Sequence, residues 1–290
     1  MKWQKEKVTT NTFKASIEIT TNSKWEAWVL LTSDRHWDNP KSNHELQLEH
    51  LNEAKKRGAL IIDCGDLFCA MQGKYDKRSS KASVRPEHQV DNYLDAIVSG
   101  AAKFFKPYRD NFLCIGVGNH ESSVKINQET DLVERLLSLM NAGSKNEVYN
   151  GHYTGWVKFC FLRGRHNCGV RTKSSCNLHY YHGFGGGSGV DKDKNRAAYL
   201  PDADIVVSGH NHQSWVYEHS RVRFTDRCLI NHDIQTHIKL PTYKEEYGQG
   251  EGGWHVETGK SSRPQGAWWL RFFYSRKHDK VFYETIRATS

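Results

Sequence analysis

The sequence predicts an α/β domain whose second half is rich in strands. Three observations carry this expectation. Short apolar, β-branched runs alternate with helix-period segments through the first two thirds of the chain. A polar cluster closes each of those runs abruptly. After Asn150 helical periodicity largely disappears, and short runs rich in Val, Phe, Tyr and Trp take over. Strand, helix, strand, helix, strand is the pattern of a sheet covered by helices.

The elements follow in order. Trp28 to Thr32 reads as a buried strand that stops at SDRH. Ser42 with Glu45 three residues later forms a capping box, opening a helix with Leu48 and Leu51 inward. That helix closes with Lys55, Lys56 and Arg57 before Gly58, as the helix dipole favours. Ala59 to Ile62 is a second strand, ending at DCGD. Pro86 suits a first helical position, and Val90, Tyr93, Leu94, Ile97, Val98, Ala101, Ala102 and Phe105 repeat at helical spacing behind it. Phe112 to Val117 is a third strand, running into GNHE, and Thr130 to Met140 is a further helix closed by Gly143. His179 to Tyr181 leads into the glycine run from Gly183 to Gly189, and Ile205 to Val207 leads into SGHNH. Ala267 to Tyr274 and Lys280 to Ile286 read as a terminal hairpin, its aromatic first strand facing the core. Six glycines between Gly248 and Gly266 mark a long loop.

Composition narrows the class. With 290 residues, 37% of them hydrophobic, the chain can build a core, and one domain over residues 1–290 is the economical reading. Its motifs fall within residues 28–212, and residues 213–290 form a β-rich C-terminal part. Apolar runs such as Leu113 to Val117 fall far short of the ~20 residues of a membrane span, so no membrane partner is expected. The opening MKWQKEKVTTNTFK has lysines with no apolar run behind them, unlike a signal peptide. Seven cysteines without a CxxC pair read as reduced, mostly buried thiols, and the expected location is cytoplasmic. A net charge of +8 fits an anionic partner such as nucleic acid.

The chemistry-bearing residues sit just past the strands. Asp34 and His36 follow the first, Asp66 the second, and Asn119, His120 and Glu121 the third. His182 follows the fourth, with His179 three residues before it, and His210 and His212 follow the fifth. Taken singly, each fragment has an ordinary explanation as a chance pair, a turn or a surface histidine. Ligands of open α/β sheets bind at the carboxyl ends of strands, so together these loops deliver imidazoles, carboxylates and an amide to one edge.

Here the sequence resembles the calcineurin-like metallophosphoesterase superfamily, whose ordered pattern is D-x-H, G-D, G-N-H-[ED], a lone H, then G-H-x-H. This chain reads DRH at 34–36, GD at 65–66, GNHE at 118–121, YHG at 181–183 and GHNH at 209–212. The resemblance implies a four-layered α/β sandwich with two central mixed sheets flanked by helices, and a dinuclear metal centre. It implies that Asp34, His36 and His212 hold one metal, that Asn119, His182 and His210 hold the other, and that Asp66 bridges them. Two such ions clamp a phosphoryl group and lower the pKa of a shared water, the nucleophile for in-line attack. His120 would be the general acid, and Glu121 would support the site from behind the ligands. Mixed nitrogen and oxygen donors point to two divalent ions, Mn²⁺ first, with Fe, Zn²⁺ or Mg²⁺ as alternatives.

Two features bear on the substrate. The run GDLF is similar to SbcD-type DNA repair nucleases, while Cys69 stands where protein phosphatases of the superfamily carry an Asp. Lys74, Lys77, Arg78, Lys81 and Arg85 crowd the loop after the second motif, and Arg163 and Arg165 precede His182, all candidates for phosphate contacts. The expectation is therefore a phosphodiester hydrolase acting on nucleic acid, a DNA nuclease in particular. The alternatives are a phosphatase or phosphodiesterase for small molecules or proteins, and a non-catalytic scaffold. Only 78 residues follow GHNH, too few for a capping domain and a partner-binding tail, so no ATPase partner is expected.

Overall fold

A computed structural model of the chain describes residues 3–20, 24–70, 84–165, 169–185, 190–224, 228–245, 247, 256, 259 and 261–289. The chain opens with β1 (Gln4–Lys7) and β2 (Thr12–Glu18), followed by β3 (Glu26–Thr32) and α1 (His44–Arg57). Next come β4 (Leu60–Asp63), α2 (Tyr93–Phe105), β5 (Phe112–Gly116), α3 (Asn119–Gln128) and α4 (Leu132–Asn141). Then follow β6 (Tyr149–His152), β7 (Thr154–Arg165), β8 (Gly169–Tyr181), α5 (Val190–Ala198) and β9 (Ile205–Ser208). The last strands are β10 (Trp215–Phe224), β11 (Ile230–Lys239), β12 (Ala267–Ser275) and β13 (Lys280–Ala288).

Among the described residues these strands form two mixed sheets. One has the order β13-β12-β3-β4-β5-β6, the other β1-β2-β7-β8-β9-β11-β10. The period-two alternation of the short central strands explains why the sheets stack. Val29, Leu31, Leu60 and Ile62 point one way, meeting Phe159, Phe161, Leu178, Ile205 and Val207 of the second sheet in a buried core. Leu30, Ile61, Phe112 and Ile115 point the other way, under Leu51, Ile97, Phe105 and Leu136 of α1, α2 and α4. On the far side, α5 covers the second sheet through Ala197, packed with Ala203 and Val206. The layers thus run helix, sheet, sheet, helix, the four-layered sandwich expected.

Several local expectations shift. The cap of α1 is Asn43, whose Oδ1 accepts the Leu46 N–H at 3.0 Å. Ser42 turns inward and donates to the Arg35 carbonyl at 2.6 Å, because that buried oxygen has first claim on the hydroxyl. The segment from Pro86 is one 3₁₀ turn to His88, and the α-helix begins only at Tyr93. α5 is a helix within the half read as rich in strands. The aromatic run of β12 faces the core as anticipated, with Trp269, Leu270, Phe272 and Tyr274 buried. Of the cysteines, Cys64, Cys69, Cys114, Cys160 and Cys176 are buried free thiols and Cys228 is exposed.

Two predictions follow from this packing. Asn43→Ala should lower the unfolding free energy by about 1 kcal/mol in urea denaturation, the usual loss for a helix cap. The second concerns three buried histidines. Burial, with Arg35 and Arg287 nearby, holds His50 down at about 4. Burial, with Arg196 nearby, likewise holds His179 at about 4. Burial holds His237 at about 3. Each binds its proton more readily unfolded than folded, so stability is complete above the ordinary value of 6.5 and is lost as pH falls toward 4. Each contributes on the order of 3 kcal/mol across that window. Urea midpoints should decline through it, and a level profile would show that these imidazoles ionise freely within the fold.

Candidate metal centre

The parallel strands β3, β4 and β5 end at one rim, and β8 and β9 of the second sheet end beside them. The first two loops are zipped by backbone bonds from Asp34 N to Gly65 O (2.9 Å), His36 N to Asp66 O (3.0 Å) and Trp37 N to Leu67 O (2.7 Å). Across the sheets, His210 N donates to Asp34 Oδ2 at 2.9 Å, and within the second sheet Gly209 N donates to His182 O at 2.8 Å. Crowding explains two of the motif glycines. A Cβ on Gly118 would stand 2.0 Å from Asp66 Oδ1, and one on Gly209 would stand 2.1 Å from Ser33 Oγ.

Asp34, His36, Asp66, His210 and His212 all hold positive φ, between 44° and 80°. Left-handed backbone costs an L-residue roughly 1–2 kcal/mol, and its concentration here marks a built site. Two donor groups result. Asp34, His36 and His212 bring one ligand atom each within 4.8 Å of the others, and so do Asp66, His182 and His210. In the first group the two Nε2 atoms of His36 and His212 face each other at 3.2 Å. Asp34 Oδ1 lies 3.3 Å from His212 Nε2 and accepts no well-aligned hydrogen bond among the described residues. In the second, His182 Nε2 lies 3.1 Å from Asp66 Oδ2 and 3.1 Å from Asn119 Oδ1, and His210 Nδ1 lies 2.7 Å from that same Asn119 oxygen. Facing lone pairs and an under-used buried carboxylate oxygen suit cations, so the donor chemistry of these residues fits divalent metal.

Electrostatics agree. Burial alone would raise the carboxyls of Asp34 and Asp66, yet the facing histidines, His212 for Asp34 and His182 for Asp66, hold both well below the usual range. Burial works against a charge on His182, but Asp66 outweighs it and lifts the imidazole to about 9. Burial, with His120 and His212 nearby, pushes His36 far down, and burial with His182 nearby lowers His210.

The remaining candidates fall into place differently. His182 rather than His179 reaches the centre, since His179 Nε2 is bonded with Thr154 Oγ1 at 3.1 Å on the opposite face of β8. His120 Nδ1 donates to the Cys69 carbonyl at 2.6 Å, and its Nε2 is 3.8 Å from Asp66 Oδ2, facing the donors. Glu121 accepts three backbone N–H groups, from Gly118 (2.8 Å), Asp66 (3.2 Å) and Phe68 (2.8 Å), and so ties the second and third loops together. Burial and the Asp66 charge push its carboxyl up to about 8.

Of the proposed phosphate contacts, those among the described residues are Arg85, Arg163 and Arg165. Lys74, Lys77, Arg78 and Lys81 lie outside the described residues. Arg85 donates to the backbone carbonyls of Trp37 (3.3 Å) and Ser42 (2.9 Å), bracing the first loop from behind. Arg163 sits nine residues beyond Thr154 along β7, roughly 30 Å of strand from the rim, and Arg165 lies farther along the same strand. There Arg163 is bonded to Asp279 at 3.0 Å and Tyr274 at 3.2 Å.

Sequence reasoning missed three supporting residues. Asp38 Oδ1 accepts Cys69 N at 2.5 Å and its Oδ2 accepts Ala70 N at 2.8 Å, fixing the strand of chain that holds His120. Its place two residues after His36 was the available signal. Arg35, between two expected ligands, is fully buried against Asp63 at 2.7 Å. Cys69 brings its sulfur into a third donor group with His36 and His120, again within 4.8 Å.

No protein-family model matches this chain, and no curated protein matches it. Among solved structures it is similar to Vps29 of Chaetomium thermophilum, at 9% identity and a TM-score of 0.37, over 91% of this chain and 97% of that one. It is also similar to Entamoeba histolytica Vps29 complexed with Zn²⁺, at 12% and 0.35, over 90% and 99%. A third is Plasmodium GAP50, described as the anchor in the inner membrane complex, at 11% and 0.42, over 92% and 86%.

The crowding at Gly118 yields a direct test. Gly118→Ala must move Asp66 or the α3 N-terminus, and should weaken Mn²⁺ binding at least tenfold in isothermal titration while the far-ultraviolet dichroism stays native. Unchanged affinity would show that the close packing of Gly118 against Asp66 is not needed to hold metal.

Proposed function

We propose that this protein is a phosphodiester hydrolase dependent on two divalent cations, and that nucleic acid, DNA foremost, is its substrate. The observation that carries the reading is the meeting of two three-donor groups on one rim with His120 beside them. Asp34, His36 and His212 would hold one ion, Asn119, His182 and His210 the other, with Asp66 between them. When bound, the pair supplies Lewis acidity to the phosphoryl oxygens and a water of lowered pKa.

The chain's own groups then divide the work. The Cys69 carbonyl accepts a hydrogen bond from His120 Nδ1–H, so Nε2 is left facing the donors and, in the imidazolium form, would pass its proton to the leaving oxygen. The zipped loops fix the donors before substrate arrives, which lowers the reorganisation needed in the transition state. The GDLF run and the net charge of +8 support nucleic acid over a neutral metabolite.

The deciding assay uses protein stripped by chelation and reloaded with Mn²⁺. It compares labelled single- and double-stranded DNA with bis-p-nitrophenyl and p-nitrophenyl phosphate. DNA cleavage should appear only with metal and fall steeply with added salt. Asp66→Ala should abolish turnover, and His120→Ala should cost roughly 10²–10⁴-fold. Hydrolysis of the small esters with intact DNA would replace nucleic acid by a small-molecule or protein phosphoester. Full activity in Asp66→Ala would end the two-metal reading itself.

A further inference from the structure

We propose that Cys69, His36 and His120 form a thiolate-bearing cation site within the centre, one that takes a thiophilic divalent ion such as Zn²⁺ and takes His120 out of proton transfer when filled. The Cys69 sulfur and one nitrogen from each histidine already lie within 4.8 Å of one another. Zinc at its usual bond lengths, about 2.0–2.1 Å to nitrogen and 2.3 Å to sulfur, spaces its donors some 3.5 Å apart. Side-chain adjustments of about 1 Å would close the triad on such an ion.

The surroundings of this sulfur set it apart from the other buried thiols. Cys64, Cys114 and Cys176 lie within the apolar core between the sheets. Cys69 Sγ instead accepts the Asn39 amide N–H at 3.3 Å, a bond that gains strength when the sulfur is negative. His36 is a further donor with spare capacity, its buried Nδ1 having no hydrogen-bond partner among the described residues. Cys69 and His36 are deeply buried, whereas the His120 side chain is 12% exposed. Two of the donors are therefore deeply buried and the third borders solvent.

Thiolate selects Zn²⁺ or Cd²⁺ over Mn²⁺ and Mg²⁺, so the triad discriminates among metals that the oxygen and nitrogen groups alone would accept. On binding, the sulfur–metal bond forms as the Cys69 S–H bond breaks, and the proton leaves to solvent. His36 and His120 are shared with the arrangement proposed for hydrolysis, so occupancy of the triad opposes turnover. That consequence rests on the hydrolase reading, whereas the site itself rests only on the three side chains.

The test is spectroscopic. A Cys168→Ser, Cys228→Ser background removes the exposed thiol and the one outside the described residues. Titrated with Co²⁺, this protein should develop the near-ultraviolet thiolate-to-cobalt charge-transfer band at one equivalent of sulfur ligand. Adding Cys69→Ser should abolish the band, and adding Asp66→Asn should leave it, whatever becomes of hydrolysis. With Zn²⁺, X-ray absorption of the background protein should show a sulfur shell at about 2.3 Å, a readout that needs no change at Cys69. Absence of that shell, or a band that survives Cys69→Ser, would overturn the proposal.

Discussion

A guanidinium fully removed from water underlies the candidate metal centre. Arg35 Nε meets Asp63 Oδ2 at 2.7 Å with both side chains completely buried, and its other nitrogens donate to Gln47 Oε1 at 3.2 Å and Thr32 Oγ1 at 3.1 Å. The rings of Phe105 and Tyr243 lie 5.5 and 5.0 Å from its centre. Burial pulls the Asp63 carboxyl up against the pull of Arg35, so each charge is tolerable only because the other is there. Removing one member of such a pair leaves about 3–5 kcal/mol of uncompensated desolvation. The geometry that results is the useful part. With Arg35 anchored inward, the residues on either side of it, Asp34 and His36, are carried to the rim, and the pair joins the loop after β3 to the end of β4.

That anchoring explains how the strained backbone survives. Five donor residues in left-handed conformation amount to roughly 5–10 kcal/mol, comparable to the whole net stability of a typical domain. The strain is spread over loops whose carbonyls and amides are bonded to one another rather than to water. Asp34 O alone accepts from Tyr243 N at 3.1 Å and from Thr242 Oγ1 at 2.8 Å, which brings the chain after β11 into the same framework. Rigid loops in uncommon conformations place donors where a cation needs them, and the preorganisation expected of a catalytic centre is the chemical return.

How much of this could be read from the sequence depended on where each residue stands. The donors were legible because each lies immediately beyond an apolar run, and a strand end fixes position to within a residue or two. Their order along the chain then matched five neighbouring ends of two sheets. What failed to be legible was non-local. Arg163 is close to His182 in sequence, yet the antiparallel pairing of β7 with β8, Thr154 with Tyr181 and Arg163 with Arg171, carries it to the opposite end of the sheet. The buried ion pair of Lys239 with Asp193 joins residues 46 apart at 2.8 Å, and neither has a local signature. α5 is a run of charged residues that gives the core little beyond Ala197, so it shows no apolar period to detect. The cap of α1 failed for a subtler reason. Ser42 and Asn43 are equally good caps, and only the buried Arg35 carbonyl decides which of them is free to serve.

The charge balance of the centre ties these points together. Two fully buried carboxylates held ionised demand compensation, and the fold supplies it through imidazoles rather than through lysine or arginine. A fixed cation beside Asp66 would neutralise it permanently and repel any metal. His182 carries a removable charge instead. Lifted to about 9 by Asp66, it can hold a proton against that carboxylate, and would surrender it to a divalent ion bound in the same place. Arg35, the permanent cation nearest the rim in sequence, is turned away and spent on Asp63. The separation of roles follows from the chemistry of the two side chains. Guanidinium keeps its charge and so belongs in the framework, whereas imidazole gives its charge up and so belongs in the site.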